Sequence, residues 1–312
     1  MATTTKKSTS KAKTKTAQAK TIKKTSLKKA APAKTVSGSA SKTAATVPET
    51  KKSQPTRSIG GVTIRRLRSL HVIAAGLFIL LALAAGMFMK STSYSLTLGH
   101  LAKDELASTS STVLAPAVQA IYDVELRWVV VGILLLSLVF PILYLTKLQS
   151  RYTDYLQKTR MLPLRWIDLA ITGALMTEVV ALVSGVSDIP TLKLIGGLVA
   201  TTALLGLIAE RQNNNVATPV RSAYYVSLFT GLLPWAFVAA YAVSTVVYGT
   251  ASVTWYVYAL YTAVLGGYLL QARNQHMENG GGNYLVVERN YIVISMLTKV
   301  AFAAILIVGL AR

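Results

Sequence analysis

The chain has 312 residues, of which 52% are apolar and only 14% are charged, and its formal net charge is +21. A soluble domain carries roughly 25% charged residues, so this composition argues against a soluble globular protein. The sequence contains no cysteine, which excludes disulfides, thiolate metal sites and cysteine nucleophiles.

Residues 1–60 hold 14 Lys and one Arg against a single acid, Glu49, so most of the net charge lies in one segment. Low-complexity Lys, Thr, Ala and Ser cannot bury enough apolar surface to offset the entropy lost on ordering. We therefore expect a disordered basic tail, residues 1–60, before a membrane domain, residues 61–312. The tail could lie against anionic lipid headgroups, or it could bind an acidic protein or nucleic acid, which is otherwise not an expected partner.

Seven apolar runs follow, and each is long enough to cross a bilayer as a tilted helix. They cover residues 69–89, 126–147, 164–186, 190–209, 222–248, 252–272 and 285–311. The long connection of residues 90–124 carries Thr, Val, Tyr and Leu in alternating stretches, which predicts a small β-hairpin. The predicted fold is an all-α membrane protein, a seven-transmembrane-helix bundle with a β-hairpin in the first extracellular loop.

Basic residues are concentrated in alternate connections between the runs. One side carries Arg65, Arg66, Arg68, Lys147, Arg151, Lys158, Arg160, Arg165, Arg211, Arg221, Arg273 and Arg289. The other side carries Lys90, Lys103, Lys193 and the terminal Arg312. Because cytoplasmic loops are enriched in Lys and Arg, this bias predicts a cytoplasmic N-terminus and an extracellular C-terminus in the cell membrane.

The segment Arg151–Tyr155, RYTDY, looks like the third-helix counterion motif of pump-type rhodopsins. In that register the span would be too polar for lipid, because it would contain Gln157, Lys158, Arg160 and Arg165. We therefore expect Asp154 to lie in the cytoplasmic connection between the second and third spans.

Three ionisable residues fall inside apolar runs: Asp168, Glu178 and Lys299. Such a side chain costs about 2.5–3.5 kcal/mol at the bilayer centre, so it needs a partner or a function. Lys299 could form a structural ion pair with a carboxylate, and Glu178 could simply be protonated. Alternatively, a desolvated lysine amine can condense with an aldehyde to give a Schiff base, whose positive charge needs a counter-anion.

The stretch Asn283–Ala304, NYLVVERNYIVISMLTKVAFAA, resembles the seventh helix of the heliorhodopsins. The segment 165–168, RWID, resembles the third helix of that family, and Pro234 with Trp235 resembles the fifth. The resemblance covers about residues 65–312 and leaves the basic tail unmatched.

Heliorhodopsins are retinal-binding photoreceptors with a cytoplasmic N-terminus, so the resemblance implies a light sensor and not an enzyme. It implies all-trans-retinal bound to Lys299 as a protonated Schiff base, with Asp168 as counterion and Ser295 near the linkage. It also implies a homodimer with the hairpin near the interface, and signalling to a cytoplasmic partner. The further candidates for the wall of the retinal site are Thr172, Met176, Pro234, Trp235 and Tyr258.

The sequence departs from the family at several positions. The usual counterion is Glu, whereas here it is Asp168, and the usual histidines of helices one and two correspond to Phe78 and Phe140. His71 lies seven residues before Phe78 and is not expected to substitute for that histidine. Glu178 lies one residue from the internal donor position of proton pumps. It motivates an alternative function in light-driven or light-gated proton transport; a third hypothesis is a non-photochemical scaffold that displays the tail.

Overall fold

The computed structural model describes residues 62–104, 112–214, 218–249, 253–279 and 283–311. The predicted basic tail, residues 1–60, and the terminal Arg312 lie outside these residues. Within the described ranges the chain forms a bundle of long helices and one two-stranded sheet.

Each predicted apolar run corresponds to one helical span. In chain order the helices are α1 (Ile64–Phe88), α2 (Leu126–Leu145), α3 (Gln149–Asp154), α4 (Pro163–Asp168), α5 (Ala174–Val183), α6 (Ile189–Gln212), α7 (Ser222–Tyr248), α8 (Trp255–Asn279) and α9 (Tyr284–Gly309). The π-helical turn Leu169–Gly173 joins α4 and α5 into the third span, and α3 lies in a connection. The described residues therefore contain seven long spans, which confirms the predicted fold class.

Six of these spans are long and apolar enough to cross a membrane, counted over the described residues. The remaining span is α8, which continues to Asn279 and so extends past the C-terminal end of the predicted run 252–272. Its mean hydropathy is lower because Trp and Tyr occupy its first turns and Gln, Arg and Asn occupy its last turns. Two polar residues of these last turns, Gln271 and Glu278, belong to the site described below.

Local capping sets where several spans begin. The Thr63 side chain accepts a hydrogen bond from the Arg66 backbone N–H at 3.4 Å at the start of α1. Asp188 caps α6 in the same way through the Thr191 N–H at 3.0 Å. Such side chains satisfy backbone donors that the first helical turn leaves free. In α4 the first residue is Pro163, which has no N–H to satisfy.

The predicted hairpin is confirmed as strands β1 (Ser93–Lys103) and β2 (Leu114–Glu125), which pair antiparallel. The register slips between Leu96 and Thr97, and at this bulge the Thr97 N–H donates to the Ser187 carbonyl at 2.9 Å. Leu96 is buried against the helical core. The hairpin is thus attached to the link between the third and fourth spans. We call this end of the bundle the hairpin end. The opposite end carries Thr63 and α3, and we call it the tail end.

The outer faces of the spans are apolar. Leu80, Leu83, Phe229 and Val246 are 60–69% exposed on the described surface. Water would disfavour so much continuous apolar area, whereas lipid accepts it, so the bundle is a multi-pass membrane protein.

Close helix contacts depend on glycine at the interfaces. A Cβ at Gly206 on α6 would collide with the Trp166 ring, and one at Gly267 on α8 would collide with Thr298 on α9. Small residues let membrane helices approach to this distance. The first contact fixes the indole of Trp166, whose neighbour Arg165 is central to the site.

The connection between the second and third spans consists of α3 and a second π-helical turn, Tyr155–Thr159. Asp154 forms an exposed ion pair with Lys158 at 2.9 Å in this segment. The prediction that Asp154 lies in the connection, and not in a span, is confirmed. Not all of this connection is exposed: Tyr152 is fully buried, and it packs with Leu156 and Leu162 in a hydrophobic cluster at the tail end.

Candidate functional site

Lys299 and Asp168 form an ion pair inside the bundle. The Lys299 Nζ lies 2.7 Å from Asp168 Oδ1 and 2.8 Å from Oδ2, and the lysine is 5% exposed. Lys299 lies in the middle of α9, and Asp168 is the last residue of α4. A charge at this depth is stable only when a partner compensates it, and the structure supplies that partner across two spans.

Thr172 orients the Asp168 carboxylate. Its hydroxyl lies 3.0 Å from Asp168 Oδ1 and 2.8 Å from the Asp168 backbone carbonyl, and the side chain is fully buried. Both residues belong to the region where α4 passes into the π-helical turn. Such turns often occur at functional sites because they redirect the residues on either side.

Glu178 does not reach this ion pair. Its Oε2 lies 2.7 Å from Lys193 Nζ on α6. In a regular α-helix the ten residues from Asp168 to Glu178 would leave the two side chains about 80° apart around the helix axis. Because the π-helical turn takes up one extra residue, the angle between the two side chains becomes about 180°. The third span therefore directs its two acids toward different neighbours.

Two cavities of about 650 Å³ each meet at Lys299. We call the first the apolar cavity; besides Lys299 its wall includes Thr172, Met176, Trp235 and Ser295. A cavity lined mainly by apolar and aromatic side chains, with a few polar groups, is typical of a cofactor site. Apart from Asp168, which lines the other cavity, the residues that the sequence proposed for a retinal site surround this space, with two exceptions.

Pro234 and Tyr258 are those two residues. Pro234 is buried within α7 beside Trp235 but is not part of the described wall of the apolar cavity. Tyr258 is 50% exposed on the outer face of α8 and lines neither of these cavities. The structure therefore does not bring Tyr258 together with the other candidates, and aromatic spacing alone does not tell the inner face of α8 from the outer one.

The second space, which we call the polar cavity, extends from Lys299 and Asp168 toward the tail end. Its wall includes His71, Tyr144, Arg165, Gln271, Glu288, Tyr291 and Ser295. Phe78 and Phe140 line it too, and the Phe78 ring centroid lies 5.5 Å from Lys299 Nζ. Apolar rings thus occupy the two positions at which the resemblance led us to look for histidine.

Arg165 is the centre of a buried charge cluster at the tail end of the polar cavity. Its guanidinium lies 3.0 Å from Glu210, 2.9 Å from Glu278 and 2.9 Å from Glu288. The sequence analysis placed Arg165 among the loop charges, and that placement is wrong. The side chain is only 9% exposed, because α4 begins two residues before it and carries it into the bundle.

Further contacts make this cluster rigid. The guanidinium lies 4.0 Å from the Tyr291 ring centroid. Glu210 accepts hydrogen bonds from the Trp166 indole, from the Tyr284 hydroxyl at 2.8 Å and from the Leu162 N–H at 3.1 Å. The sequence analysis singled out neither Glu210 nor Glu278. Both lie near the polar ends of spans, where acids are common, so hydropathy gave no signal for them.

The sequence was also compared with known proteins. The family model described as Heliorhodopsin matches residues 67–310, which is most of the chain and all seven spans. Among curated proteins no match was found.

Proposed function

Because the chain belongs to the heliorhodopsin family, whose members are retinal-binding, light-sensing membrane proteins, we propose that it is a photoreceptor with retinal held on Lys299. The observation that supports this most directly is the buried Lys299–Asp168 pair, whose lysine lines a mainly apolar cavity. Retinal, when bound, supplies an aldehyde that condenses with the lysine amine and a conjugated chain that isomerises in light.

The residues of this chain would perform three tasks. Lys299 supplies the amine, and its burial shields the linkage from bulk solvent. Asp168 neutralises the positive charge on the Lys299 nitrogen, and Thr172 keeps that carboxylate in place. Met176 and Trp235 would pack along the cofactor, which we propose to be the all-trans isomer.

We propose signalling and not ion pumping. Pumping needs proton-accepting groups on both sides of the cofactor. In the two cavities that meet at Lys299, the carboxylates are Asp168 and Glu288, and both belong to the polar cavity on the tail side. Glu178, which motivated the transport hypothesis, is paired with Lys193 instead.

The orientation remains our prediction from charge. We propose that the tail end is cytoplasmic, because four arginines are exposed there: Arg65, Arg66, Arg151 and Arg211. We also propose that the chain divides into a tail, residues 1–60, and a membrane domain, residues 61–312. A cytoplasmic partner would then read the movement of the spans. Fusing a reporter that is active only in the cytoplasm to each terminus tests this orientation.

A homodimer through the hairpin is also proposed. Leu101 is 65% exposed on β1 and Val118 is 73% exposed on β2, so the hairpin presents apolar side chains beyond the bundle. Val118→Lys should convert cross-linked dimers to monomers while leaving the pigment spectrum unchanged. A dimer that persists in this variant contradicts the proposed interface.

The visible spectrum tests the central proposal. Protein expressed with all-trans-retinal should show a visible band, and Lys299→Ala should abolish it. Lys193→Ala is the matched control, because it removes another lysine that pairs with a carboxylate. A band that survives in Lys299→Ala refutes the assignment of the linkage, and absence of any band in the unmodified protein supports the scaffold hypothesis.

Illumination of cells in unbuffered medium tests signalling against transport. We expect no change in the external pH. A light-dependent change that a protonophore abolishes would establish transport and contradict the proposal.

A further inference from the structure

Three basic side chains lie near one tyrosine where α7 and α8 meet at the tail end. The buried Tyr224 ring lies 5.5 Å from the His276 ring, measured between centroids, and the Tyr224 hydroxyl donates to the Ala272 carbonyl at 3.2 Å. Arg221 precedes Tyr224 by about one turn, and Arg273 directly follows Ala272 on α8. Arg221, Arg273 and His276 are all exposed, and we call these three residues the basic cleft.

The basic cleft presents positive charge that no acid among the described residues balances. Within the ranges that the structure describes, neither arginine of the cleft nor His276 takes part in an ion pair. The acid nearest to them along α8 is Glu278, and it is directed into the bundle, where it lies 2.9 Å from Arg165. The cleft is therefore suited to an anion that comes from outside the chain.

The outer surface beside the cleft changes from apolar to basic on both helices. On α8, Leu269 and Leu270 are exposed about one turn before Arg273. On α7, Phe229 is exposed about two turns after Arg221. Because the apolar outer faces of the spans contact lipid, this change marks the level at which acyl chains give way to headgroups. An anionic phospholipid has the same order of parts, with apolar chains below a negatively charged phosphate.

The packing between α7 and α8 is incomplete behind the cleft. A cavity of about 300 Å³ lies there, and its wall includes Tyr224, Tyr268 and Ala272. Beside the cavity the two helices are joined by hydroxyl-to-carbonyl hydrogen bonds, from Tyr224 to Ala272 at 3.2 Å and from Tyr268 to Leu228 at 2.8 Å. A ligand held by one arginine from each helix would add a connection where direct contact between α7 and α8 is sparse.

We propose that the basic cleft binds the headgroup of an anionic phospholipid from the leaflet at the tail end. The guanidinium groups of Arg221 and Arg273 compensate the phosphate charge, and the His276 imidazole donates an N–H to a phosphate oxygen. Basic pockets between membrane helices bind such headgroups in this way. The bound lipid joins α7 to α8 and so stabilises the bundle. This binding needs neither retinal nor a particular direction of insertion.

The full chain reconstituted in lipid nanodiscs tests the proposal. One set of discs contains phosphatidylcholine alone, and the others contain increasing fractions of phosphatidylglycerol. Thermal unfolding followed by circular dichroism gives the Tm at each fraction. We expect the Tm to rise with phosphatidylglycerol and then to saturate, because a ligand that binds the folded state stabilises it until the site is full.

Substitutions in the cleft should weaken this effect. Arg221→Gln and Arg273→Gln should each raise the phosphatidylglycerol fraction that gives half of the Tm increase by about fivefold. The double variant R221Q/R273Q should lose the saturating increase. Arg151→Gln is the matched control, because it removes an exposed arginine from the same end of the bundle, in the connection between the second and third spans. The control should behave like the unmodified chain, and all variants should have the same Tm in phosphatidylcholine alone.

Three outcomes overturn the proposal. A Tm that does not respond to phosphatidylglycerol in the unmodified chain shows that no such lipid binds. Equal changes in Arg151→Gln and Arg273→Gln show a general attraction between basic residues and the leaflet instead of a site. An equal Tm increase from inorganic phosphate, added to discs of phosphatidylcholine alone, assigns the cleft to a free anion.

A second variant serves where an arginine substitution lowers the Tm in phosphatidylcholine alone. His276→Asn leaves both arginines in place and should raise the half-effect fraction in the same direction by a smaller factor. An unchanged fraction in this variant removes His276 from the site.

Discussion

Replacing Asp168 by Asn removes one charge from the site with almost no change in side-chain volume. Asp168 Oδ1 lies 2.7 Å from Lys299 Nζ, so at an effective dielectric constant of 20 the Coulomb attraction is roughly 6 kcal/mol. The desolvation of the carboxylate, which is 16% exposed, offsets part of this attraction. Opposite charges at such distances typically move a titration by about 1–3 pH units.

We therefore expect the Asp168→Asn pigment to lose its proton at Lys299 at a pH about 1–3 units lower than the unmodified pigment, which corresponds to about 1.4–4 kcal/mol. The protonated form should absorb further to the red, because without the anion the positive charge spreads along the conjugated chain. Absorption spectra recorded during a pH titration measure both effects.

Glu178→Gln is the matched control for this titration, since it makes the same carboxylate-to-amide change in the same span. Glu178 pairs with Lys193, so its replacement should leave the titration and the band unchanged. If Asp168→Asn has no effect and Glu178→Gln has one, the counterion assignment is wrong and the orientation of the third span is wrong with it.

Two further predictions concern stability, measured as the thermal unfolding of purified protein by circular dichroism. Gly206→Ala should destabilise by about 1–3 kcal/mol, because the new methyl group meets the Trp166 ring, whereas Gly197→Ala has open space and should be neutral or slightly stabilising. Equal Tm values for the two variants would contradict the described packing. Arg165→Met should lower the free energy of unfolding by about 3–5 kcal/mol, because it leaves three buried carboxylates without their cation. Arg289→Met, at an exposed position, should lower it little. Equal losses of stability in the two variants would contradict the stabilising role of the buried charge cluster.

The spans could be predicted from the sequence because they produce a strong local signal, whereas the choice of Asp168 over Glu178 as the partner of Lys299 came from the resemblance to the heliorhodopsins. Apolar runs of about 20 residues are rare outside membranes, and Lys299 and Asp168 stand out within such runs. The hairpin was predictable from the alternation in residues 90–124 together with the length of that connection.

Other features depend on neighbours that are distant in sequence, so local patterns misplaced them. Arg165 lies two residues after the helix start, where a loop charge and a buried charge have the same hydropathy; its three acids come from α6, α8 and α9. Tyr258 and Tyr261 are both in α8, yet only Tyr261 is directed inward, where its hydroxyl bonds Ser184 at 2.7 Å. His71 was discounted by position, although the cavity extends far enough to include it.

The π-helical turn Leu169–Gly173 links the length of the third span to the rotation of its second half. Deleting one residue from the turn would restore a regular α-helix, and nine regular steps still place Asp168 and Glu178 about 180° apart, so both acids would keep their present neighbours. Closing the turn without a deletion would instead rotate α5 by about 100° relative to α4 and bring Glu178 toward the side of the span that carries Asp168. Substitutions that favour a regular α-helix over the π-helical turn could thus redistribute acids within the bundle, and a one-residue deletion added to them would restore the original arrangement.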